Sequence, residues 1–265
     1  MKVILAIAVL AVMGCNEAAK TETETMSMPG AYSMLSQSVN DGKKDTTYTN
    51  IKQLKIFTGD HMMYANVNPA DSVSSFGVGT YTADSGNIME TIIYNASDTS
   101  VNSMGGGTFK LVIEKTAKGY QQVIPEITGR DGQKFKLTEA YESVGTAAKT
   151  ALDGVWKQVK GYNIKGKDTS ANTAVQYKAY SGGHFMFGHT YTDSTKKLHT
   201  GMGFGSFEMS SPTRVKENVQ ASTYYQIRGK SFDIEIALNG TDGFTQTITD
   251  ADGSKSVEIY ERVKK

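Results

Sequence analysis

Short stretches of alternating apolar and polar residues, rich in β-branched and aromatic side chains, occupy most of the chain. They are typical of half-buried β-strands, and beyond the N-terminal segment no stretch shows the apolar spacing of an amphipathic helix. Asp-Gly and Asn-Gly dipeptides, which tolerate the positive φ of tight hairpin turns, separate many of them. These dipeptides lie at 131–132, 239–240, 242–243 and 252–253. The clearest predicted strands are 52–57, 61–67, 107–115, 185–191, 232–238 and 245–249.

The strand pattern occurs twice. Four segments of the first copy recur in the second in the same order, at offsets between 119 and 127 residues. The matched segments are 55–65 with 178–188, 76–81 with 202–207, 87–90 with 214–217, and 138–144 with 257–263. Order and spacing together indicate a tandem duplication. We expect one domain over 30–144, a linker over 145–151 and a second domain over 152–265.

The number of strands indicates how each copy folds. About eight short strands in roughly 115 residues fit a closed, antiparallel, up-and-down β-barrel, which leaves no free sheet edge. The predicted fold class is therefore all-β, with two small barrels in tandem.

The first residues differ from the rest of the chain. Met1-Lys2 gives a positive start, residues 3–13 form an uninterrupted apolar run, and Gly14-Cys15 follows at once. This run is too short for a permanent transmembrane helix, which needs about 20 residues, but it fits the apolar part of a signal peptide. A secretory signal with a chance cysteine and a short buried helix are the alternatives.

The segment Val12-Met13-Gly14-Cys15 resembles the lipobox of bacterial lipoproteins, although Met13 departs from the small side chain usual at its position. The resemblance implies a signal peptide over 1–14, cleavage before Cys15 and acyl chains on Cys15, which makes the membrane a partner. Two or three acyl chains hold a protein on a membrane far more durably than one. The polar, Thr/Glu-rich remainder of 15–29 is expected to be a flexible tether. We expect a bacterial envelope protein anchored to the outer membrane. The sequence leaves open whether the protein lies on the periplasmic side or on the cell surface.

Composition narrows the function classes. The chain has 28 Lys+Arg and 27 Asp+Glu, a net charge of +1, so we expect no nucleic-acid partner. One cysteine excludes an intramolecular disulfide and a multi-cysteine metal site, and no cofactor is expected. His189 and His199 could face each other across a hairpin, but copy one has Asn66 at the position of His189. A chance pair is therefore favoured over a metal site.

A family resemblance rests on the two ends of the second copy. Gly154-Val155-Trp156 opens it, and Glu-Ile-Tyr-Glu-Arg at 258–262 closes it. These residues resemble the lipocalin-like small barrels of bacterial lipoproteins and, more distantly, the calycin superfamily. The resemblance implies that Trp156 packs at the barrel end with Arg262 over its indole. It also implies a small, partly apolar ligand inside a barrel.

The resemblance is weaker in the first copy. Gly30-Ala31-Tyr32 replaces the Gly-x-Trp motif, and Ser143 takes the place of Arg262. We therefore expect the first copy to be degenerate or structural. The second copy, with 14 of the 25 aromatic residues, is expected to be the better binding candidate.

Polar residues repeated in both copies are the candidate ligand-binding positions. They are His184, Glu217, Glu258 and Tyr260 in copy two, and His61, Glu90, Glu139 and Tyr141 in copy one. Residues two apart on a strand share a face, so each Glu-x-Tyr pair points to one side. The carboxylates and tyrosines line either a ligand cavity or a structural network in a barrel too narrow for a ligand. The histidines either contact a ligand at the mouth or lumen, or donate to a loop carbonyl.

These observations favour a lipid-anchored, non-enzymatic envelope protein that binds a small, partly apolar ligand. The alternative is a structural or partner-binding accessory subunit of an envelope complex, with no cavity. A hydrolase using Glu217 and His184 is the least favoured, because general acid–base catalysis needs two groups at a fixed separation, which the sequence does not show. The interior of each barrel distinguishes the first two hypotheses.

Overall fold

The computed structural model describes residues 27–68, 73–84, 86–97, 100–102, 106–128 and 132–264. The regular structure in these ranges is β, apart from one turn of 3-10 helix at Tyr225–Ile227. None of the described residues belong to a helix of the length and apolarity needed to cross a membrane. The predicted signal peptide and the lipidation of Cys15 lie outside the described ranges.

The strands fall into two groups along the chain. The first group is β1 (Gly30–Asn40), β2 (Asp45–Tyr48), β3 (Lys52–Phe57), β4 (His61–Asn68), β5 (Ser75–Asp84), β6 (Asn87–Ser97), β7 (Ser100–Asn102), β8 (Gly107–Lys115), β9 (Gly119–Thr128) and β10 (Lys134–Ser143). The second group is β11 (Gly154–Lys165), β12 (Asp168–Ala171), β13 (Val175–Ser181), β14 (His184–Thr192), β15 (Leu198–Ser211), β16 (Arg214–Ser222), β17 (Ser231–Leu238), β18 (Gly243–Thr249) and β19 (Lys255–Arg262).

Each group closes into an antiparallel barrel of eight strands. In barrel 1 the ring is β1-β3-β4-β5-β6-β8-β9-β10, and β10 returns to β1 with Ser143 opposite Tyr32. In barrel 2 the ring is β11-β13-β14-β15-β16-β17-β18-β19, and β19 returns to β11 with Arg262 opposite Trp156. Three short strands lie outside the rings, and each pairs with one ring strand: β2 with β1, β7 with β6, and β12 with β11. The predicted all-β fold with two tandem barrels is confirmed.

The predicted turn dipeptides account for part of this topology. Gly240 and Gly253 have φ of 71° and 81°, a conformation that glycine adopts without a steric penalty. They lie between β17 and β18 and between β18 and β19, where the chain reverses direction. Gly243 is different, because it begins β18 and has no positive φ. The 239–243 region is therefore one turn rather than two.

The outer faces of the two barrels pack against each other and form a shared core. Its buried members in barrel 1 are Ala31, Leu54, Ile56, Met63, Ala65, Val67, Phe76, Val78, Tyr94 and Ala96, and those in barrel 2 are Val155, Tyr177, Ala179, Met186, Met202, Phe204 and Ala221. Most are repeat-related, so each barrel contributes the corresponding face of its wall. The sequence prediction treated the copies as separate barrels and did not anticipate this core.

Close contacts join the barrels within the shared core. A Cβ atom added to Gly188 would overlap the ring of Phe76, so the glycine lets this ring lie directly on the β14 backbone. Tyr94 and Thr190 share a hydrogen bond of 2.7 Å between their hydroxyl oxygens, and the Thr200 hydroxyl donates to the Ser97 carbonyl oxygen at 2.9 Å. The barrels are thus held together by apolar packing with a few satisfied polar contacts.

Candidate ligand site

Each barrel holds the same six polar side chains in its interior, and we call each set a polar module. The module of barrel 1 is Gln53, Lys55, Glu90, Gln122, Glu139 and Tyr141, and that of barrel 2 is Gln176, Lys178, Glu217, Gln246, Glu258 and Tyr260. All twelve side chains are buried. The Gln-x-Lys and Glu-x-Tyr spacings place both members of each pair on the lumenal face of one strand. The duplication has therefore kept residue type at every member of this set.

The module of barrel 1 begins with a buried ion pair. Lys55 Nζ lies 2.6 Å from Glu90 Oε1 and donates to Gln122 Oε1 at 3.2 Å. The Gln122 amide donates in turn to Glu139 Oε2, which also accepts a hydrogen bond of 3.0 Å from the Tyr141 hydroxyl. The charges of Lys55 and Glu90 compensate each other. The side-chain amide of Gln122 connects this ion pair to Glu139 through hydrogen bonds.

The module of barrel 2 repeats these contacts. Lys178 Nζ lies 2.7 Å from Glu217 Oε1 and donates to Gln246 Oε1 at 3.1 Å. The Gln246 amide donates to Glu258 Oε2 at 2.6 Å. The Tyr180 hydroxyl adds a hydrogen bond of 2.5 Å to Glu217 Oε1, at the position where barrel 1 has a phenylalanine.

Sequence analysis identified the carboxylates and tyrosines of both modules but missed the lysines and glutamines. Lysine is almost never fully buried unless it is paired, so nothing in the sequence analysis singled out Lys55 or Lys178 as a lumenal residue. One signal could have found them: Gln-x-Lys occurs at 53–55 and again at 176–178, inside the matched segments or directly before them. A charged residue kept on the apolar face of a repeated strand indicates a buried partner.

The two lumens differ in the space that they leave. Barrel 1 contains a cavity of about 570 Å³, and barrel 2 one of about 230 Å³. The larger cavity is lined at its polar end by Lys55, Glu90 and Glu139, and elsewhere by the apolar side chains of Val39, Ile92, Phe109, Ile124, Ile127, Phe135 and Leu137. Ligand pockets for drug-sized molecules have volumes of about 300–1,000 Å³. The order of the cavities is thus the reverse of the expectation that copy two is the better binding candidate.

The lumen of barrel 2 is narrowed by its own side chains. His189 and Tyr224 lie in it beside the module, with Ile227 of the 3-10 turn. His189 Nδ1 donates to Gln176 Oε1 at 2.9 Å, and the Tyr224 hydroxyl donates to His189 Nε2 at 2.6 Å. Burial lowers the pKa of His189 to about 4, so the imidazole is neutral at physiological pH.

The matched histidines His61 and His184 lie away from both lumens. His61 Nδ1 donates to Asp60 Oδ1 at 2.6 Å, and its ring lines a cleft of about 580 Å³ between the barrels. His184 Nε2 donates to the Val144 carbonyl oxygen at 3.0 Å, and burial lowers its pKa. A lumenal role does not match these positions, because both side chains share a strand face with residues of the shared core. For His184 the structure has the alternative arrangement, donation to a loop carbonyl.

Glu217 and His184, the two residues considered for a hydrolase, do not lie together either. Glu217 points into the lumen of barrel 2, whereas His184 is on the outer side of the barrel wall. His189 and His199 are also separated, because the ring of Tyr191 contacts both, with centroids 5.9 Å from His189 and 5.1 Å from His199. His199 Nε2 donates to Asp193 Oδ2 at 2.7 Å. Among the residues that the structure describes, no group of three or more His, Cys, Asp or Glu side chains is placed to hold a metal ion.

The end of barrel 2 is formed by Trp156 and Arg262. The guanidinium lies 4.1 Å from the centre of the indole, and Trp156 Nε1 donates to the Leu152 carbonyl oxygen at 2.7 Å. In barrel 1 the end is formed by tyrosines: Tyr32 packs edge-on against Tyr120, which stacks on Tyr141. Barrel 1 therefore keeps a closed aromatic end without the Trp/Arg pair.

The second carboxylate of barrel 1 has an altered proton affinity. Burial raises the pKa of Glu139, opposed in part by Lys55 and by hydrogen bonds from Gln37 and Tyr141. Burial also raises the pKa of Tyr141 well above its usual value, so this phenol stays protonated and donates. Glu139 is thus a hydrogen-bond acceptor whose charge is costly to keep in the lumen.

We expect Glu139→Gln to remove part of the pH dependence of stability. A carboxyl with a raised pKa in the folded state contributes stability at low pH and loses it as pH rises through that pKa. The free energy of unfolding of the wild type should therefore fall, relative to that of the variant, as pH rises from the ordinary glutamate pKa of about 4.3 through the raised pKa of Glu139. Urea unfolding across this range measures it, with the exposed Glu114→Gln as control. If the free energy of unfolding of the wild type and that of Glu139→Gln change with pH at the same slope, the pKa of Glu139 is not raised in the folded protein.

Comparisons with known proteins add little to the geometry. Residues 151–265, which contain barrel 2, match a family model described as "Domain of unknown function (DUF4488)". No curated protein matches the chain. Among solved structures the chain is similar to a redesigned beta barrel, with 20% sequence identity and a TM-score of 0.31, over 46% of this chain and 100% of that one. At this TM-score the likeness carries no argument.

Proposed function

We propose that the protein is a lipid-anchored envelope protein that binds a small, partly apolar ligand in the lumen of barrel 1. The observation that carries the proposal is the cavity of about 570 Å³, apolar along most of its wall and polar at the module. Apolar walls with a few convergent polar groups are typical of small-molecule sites. Barrel 2, whose lumen His189 and Tyr224 narrow to about 230 Å³, then has the structural role.

The anchoring part of the proposal rests on the sequence around Cys15. Acyl chains on this residue would hold the barrels near a membrane through the polar segment that precedes β1. A lumen at such a place would meet molecules that partition between membrane and water. The outer membrane of a bacterial envelope is the location that we propose, and no catalytic step is part of the proposal.

Mass spectrometry of the protein purified from bacterial cells tests both parts. Under denaturing conditions we expect the mass of a chain that begins at Cys15 and carries acyl chains. Under native conditions, after incubation with a total bacterial envelope extract, we expect a small-molecule adduct. Leu137→Trp, which fills the lumen of barrel 1, should abolish the adduct, whereas Val112→Trp, on an exposed position of β8, should keep it.

The outcomes separate the two hypotheses. An adduct that survives in Leu137→Trp would place binding elsewhere and contradict the lumenal site. Absence of any adduct in the wild type, together with a protein partner recovered by crosslinking in cells, would instead support the accessory-subunit alternative. An unacylated chain would remove the anchor.

A further inference from the structure

The polar end of the barrel 1 cavity holds more carboxylates than cations. Glu90 and Glu139 both line the cavity, and Lys55 is the one lysine, arginine or histidine among the described residues that line it. Lys55 Nζ lies 2.6 Å from Glu90 Oε1, so these two charges compensate each other. Among these lining residues, Glu139 is therefore left without a cation of its own.

The hydrogen-bond partners of Glu139 are neutral. Its Oε2 atom accepts from the buried side chains of Gln122 and Tyr141, and its Oε1 atom accepts from Gln37 Nε2 at 3.0 Å. An ionised carboxylate offers about four acceptor sites, two on each oxygen, so Oε1 has capacity for one more donor. Glu139 keeps 6% of its surface accessible, and the half-buried Gln37 beside Oε1 also lines the cavity. Oε1 is therefore the oxygen that an occupant of the cavity approaches.

The charge of Glu139 determines which occupants the lumen favours. Burial raises the pKa of this carboxyl, although Lys55 and the hydrogen bonds from Gln37 and Tyr141 act in the other direction. A cation in the cavity would stabilise the ionised carboxylate, whereas an anion would add a like charge while Lys55 is already paired with Glu90. In a lumen with apolar walls, this difference acts across the cavity. The lumen therefore favours cationic occupants over anionic ones.

Aromatic rings are a second feature suited to a cation. Tyr48, Tyr64, Phe109 and Phe135 line the cavity together with aliphatic side chains. Within the described residues, the lysines and arginines that lie over aromatic rings do so at other positions, so these four ring faces have no cation of the chain. The face of an aromatic ring attracts an ammonium group, and rings around a cavity are used to bind such groups. The same rings can pack against the apolar part of a ligand.

We infer that barrel 1 binds an organic ammonium ion with an apolar body. The ammonium group lies at the polar end of the cavity and donates to Glu139 Oε1, and the apolar body packs on the aromatic and aliphatic wall. Glu139 then selects for the charge of the ligand, because the charges of Lys55 and Glu90 compensate each other. This inference rests on the proposed function and adds the class of ligand to it.

Three probes with the same ring system test the inference: 2-naphthylmethylamine, which is cationic at neutral pH, 2-naphthylmethanol, which is uncharged, and 2-naphthoate, which is anionic. Each is titrated calorimetrically into the full protein in phosphatidylcholine nanodiscs, with empty nanodiscs as blank. We expect the amine to bind at least about tenfold more tightly than the alcohol, because a hydrogen bond between charged groups contributes more than one between neutral groups. We expect 2-naphthoate to bind more weakly than the alcohol.

Glu139→Gln separates the charge of the site from its shape. The amide has nearly the same volume and keeps an acceptor, so the alcohol should bind as it does to the wild type, whereas the amine should lose its advantage over the alcohol. Glu114→Gln, the same change at an exposed position of β8, should leave the affinities of all three probes unchanged. Leu137→Trp should weaken the binding of the amine and of the alcohol alike, because it fills the lumen. If Glu139→Gln fails to fold, the comparison of the three probes on the wild type still decides.

The failures are distinguishable. Amine binding no tighter than alcohol binding, tighter binding of 2-naphthoate, or an amine that keeps its advantage in Glu139→Gln would overturn the inference and leave the lumenal site intact. An envelope adduct sensitive to Leu137→Trp, without binding of any probe, would do the same. Absence of both the adduct and probe binding would overturn the proposed function as well.

Discussion

Replacing Lys178 by methionine is expected to lower the free energy of unfolding by about 3–5 kcal/mol, the range found when one partner of a buried ion pair is removed. The side chains of Lys178 and Glu217 are only 4% and 7% exposed. Without the ammonium group, the Glu217 carboxylate keeps the Tyr180 hydroxyl as a donor but has no compensating charge. Gln246 loses a hydrogen bond at the same time. Urea unfolding measures the change.

A matched exposed pair provides the control. Arg214 and Glu235 form an ion pair of 3.3 Å with side chains that are 57% and 58% exposed. Arg214→Met should therefore change the free energy of unfolding by no more than about 1 kcal/mol. Adding Glu217→Gln to Lys178→Met should recover at least half of the loss, because the buried charge disappears while an acceptor for Tyr180 remains. Equal effects of Lys178→Met and Arg214→Met would show that the ion pair is not buried in solution.

The module also explains which part of the site could be predicted from the sequence. Glu139 and Tyr141, and Glu258 and Tyr260, were found because their spacing recurs near the end of both copies. The burial of Lys55 and Lys178 could not be predicted, because the sequence of one strand does not show that its charged residue has a partner on another strand. Lys55 and Glu90 are 35 positions apart and meet only after the barrel closes.

The barrels themselves could be predicted because local signals agree with the fold. Alternation, β-branched residues and glycine turns specify hairpins one by one, and a duplicated pattern with no free edge then favours closure. Cavity size could not be predicted in this way. It depends on side chains of a connection, Tyr224 and Ile227, that enter the lumen of barrel 2 from outside the repeated segments.

The shared core was missed for a related reason. An alternating strand predicts one buried face, but the segment 61–67 is apolar at most positions on both faces. Met62 and Tyr64 point into barrel 1, whereas Met63 and Ala65 point toward barrel 2. Loss of alternation is the signal of a strand that is buried on both sides, and it was present in the sequence.

Phe76→Ala is expected to lower the free energy of unfolding by about 3–5 kcal/mol, the range for truncating a fully buried aromatic residue. Phe76 is on the outer face of barrel 1, so in an isolated barrel it would be exposed, and its truncation would cost no more than about 0.5 kcal/mol. In the structure its exposed fraction is 0%, because the ring packs on Gly188 of barrel 2 and beside Tyr94. The size of the effect, measured by urea unfolding, therefore reports whether the barrels share a core.

A double-mutant cycle with Gly188 makes this prediction specific. Gly188→Ala alone should cost about 1–3 kcal/mol, because the added methyl group overlaps the Phe76 ring and must push it away. In Phe76→Ala the same methyl group meets no ring, so the double variant should be more stable than the sum of the two losses predicts, by about 0.5–3 kcal/mol. Val112→Ala, at an exposed position of β8 away from the shared core, should cost no more than about 0.5 kcal/mol. Strict additivity of Phe76→Ala and Gly188→Ala would mean that the two residues are not in contact, and that the barrels behave as separate bodies joined only by the 145–151 linker.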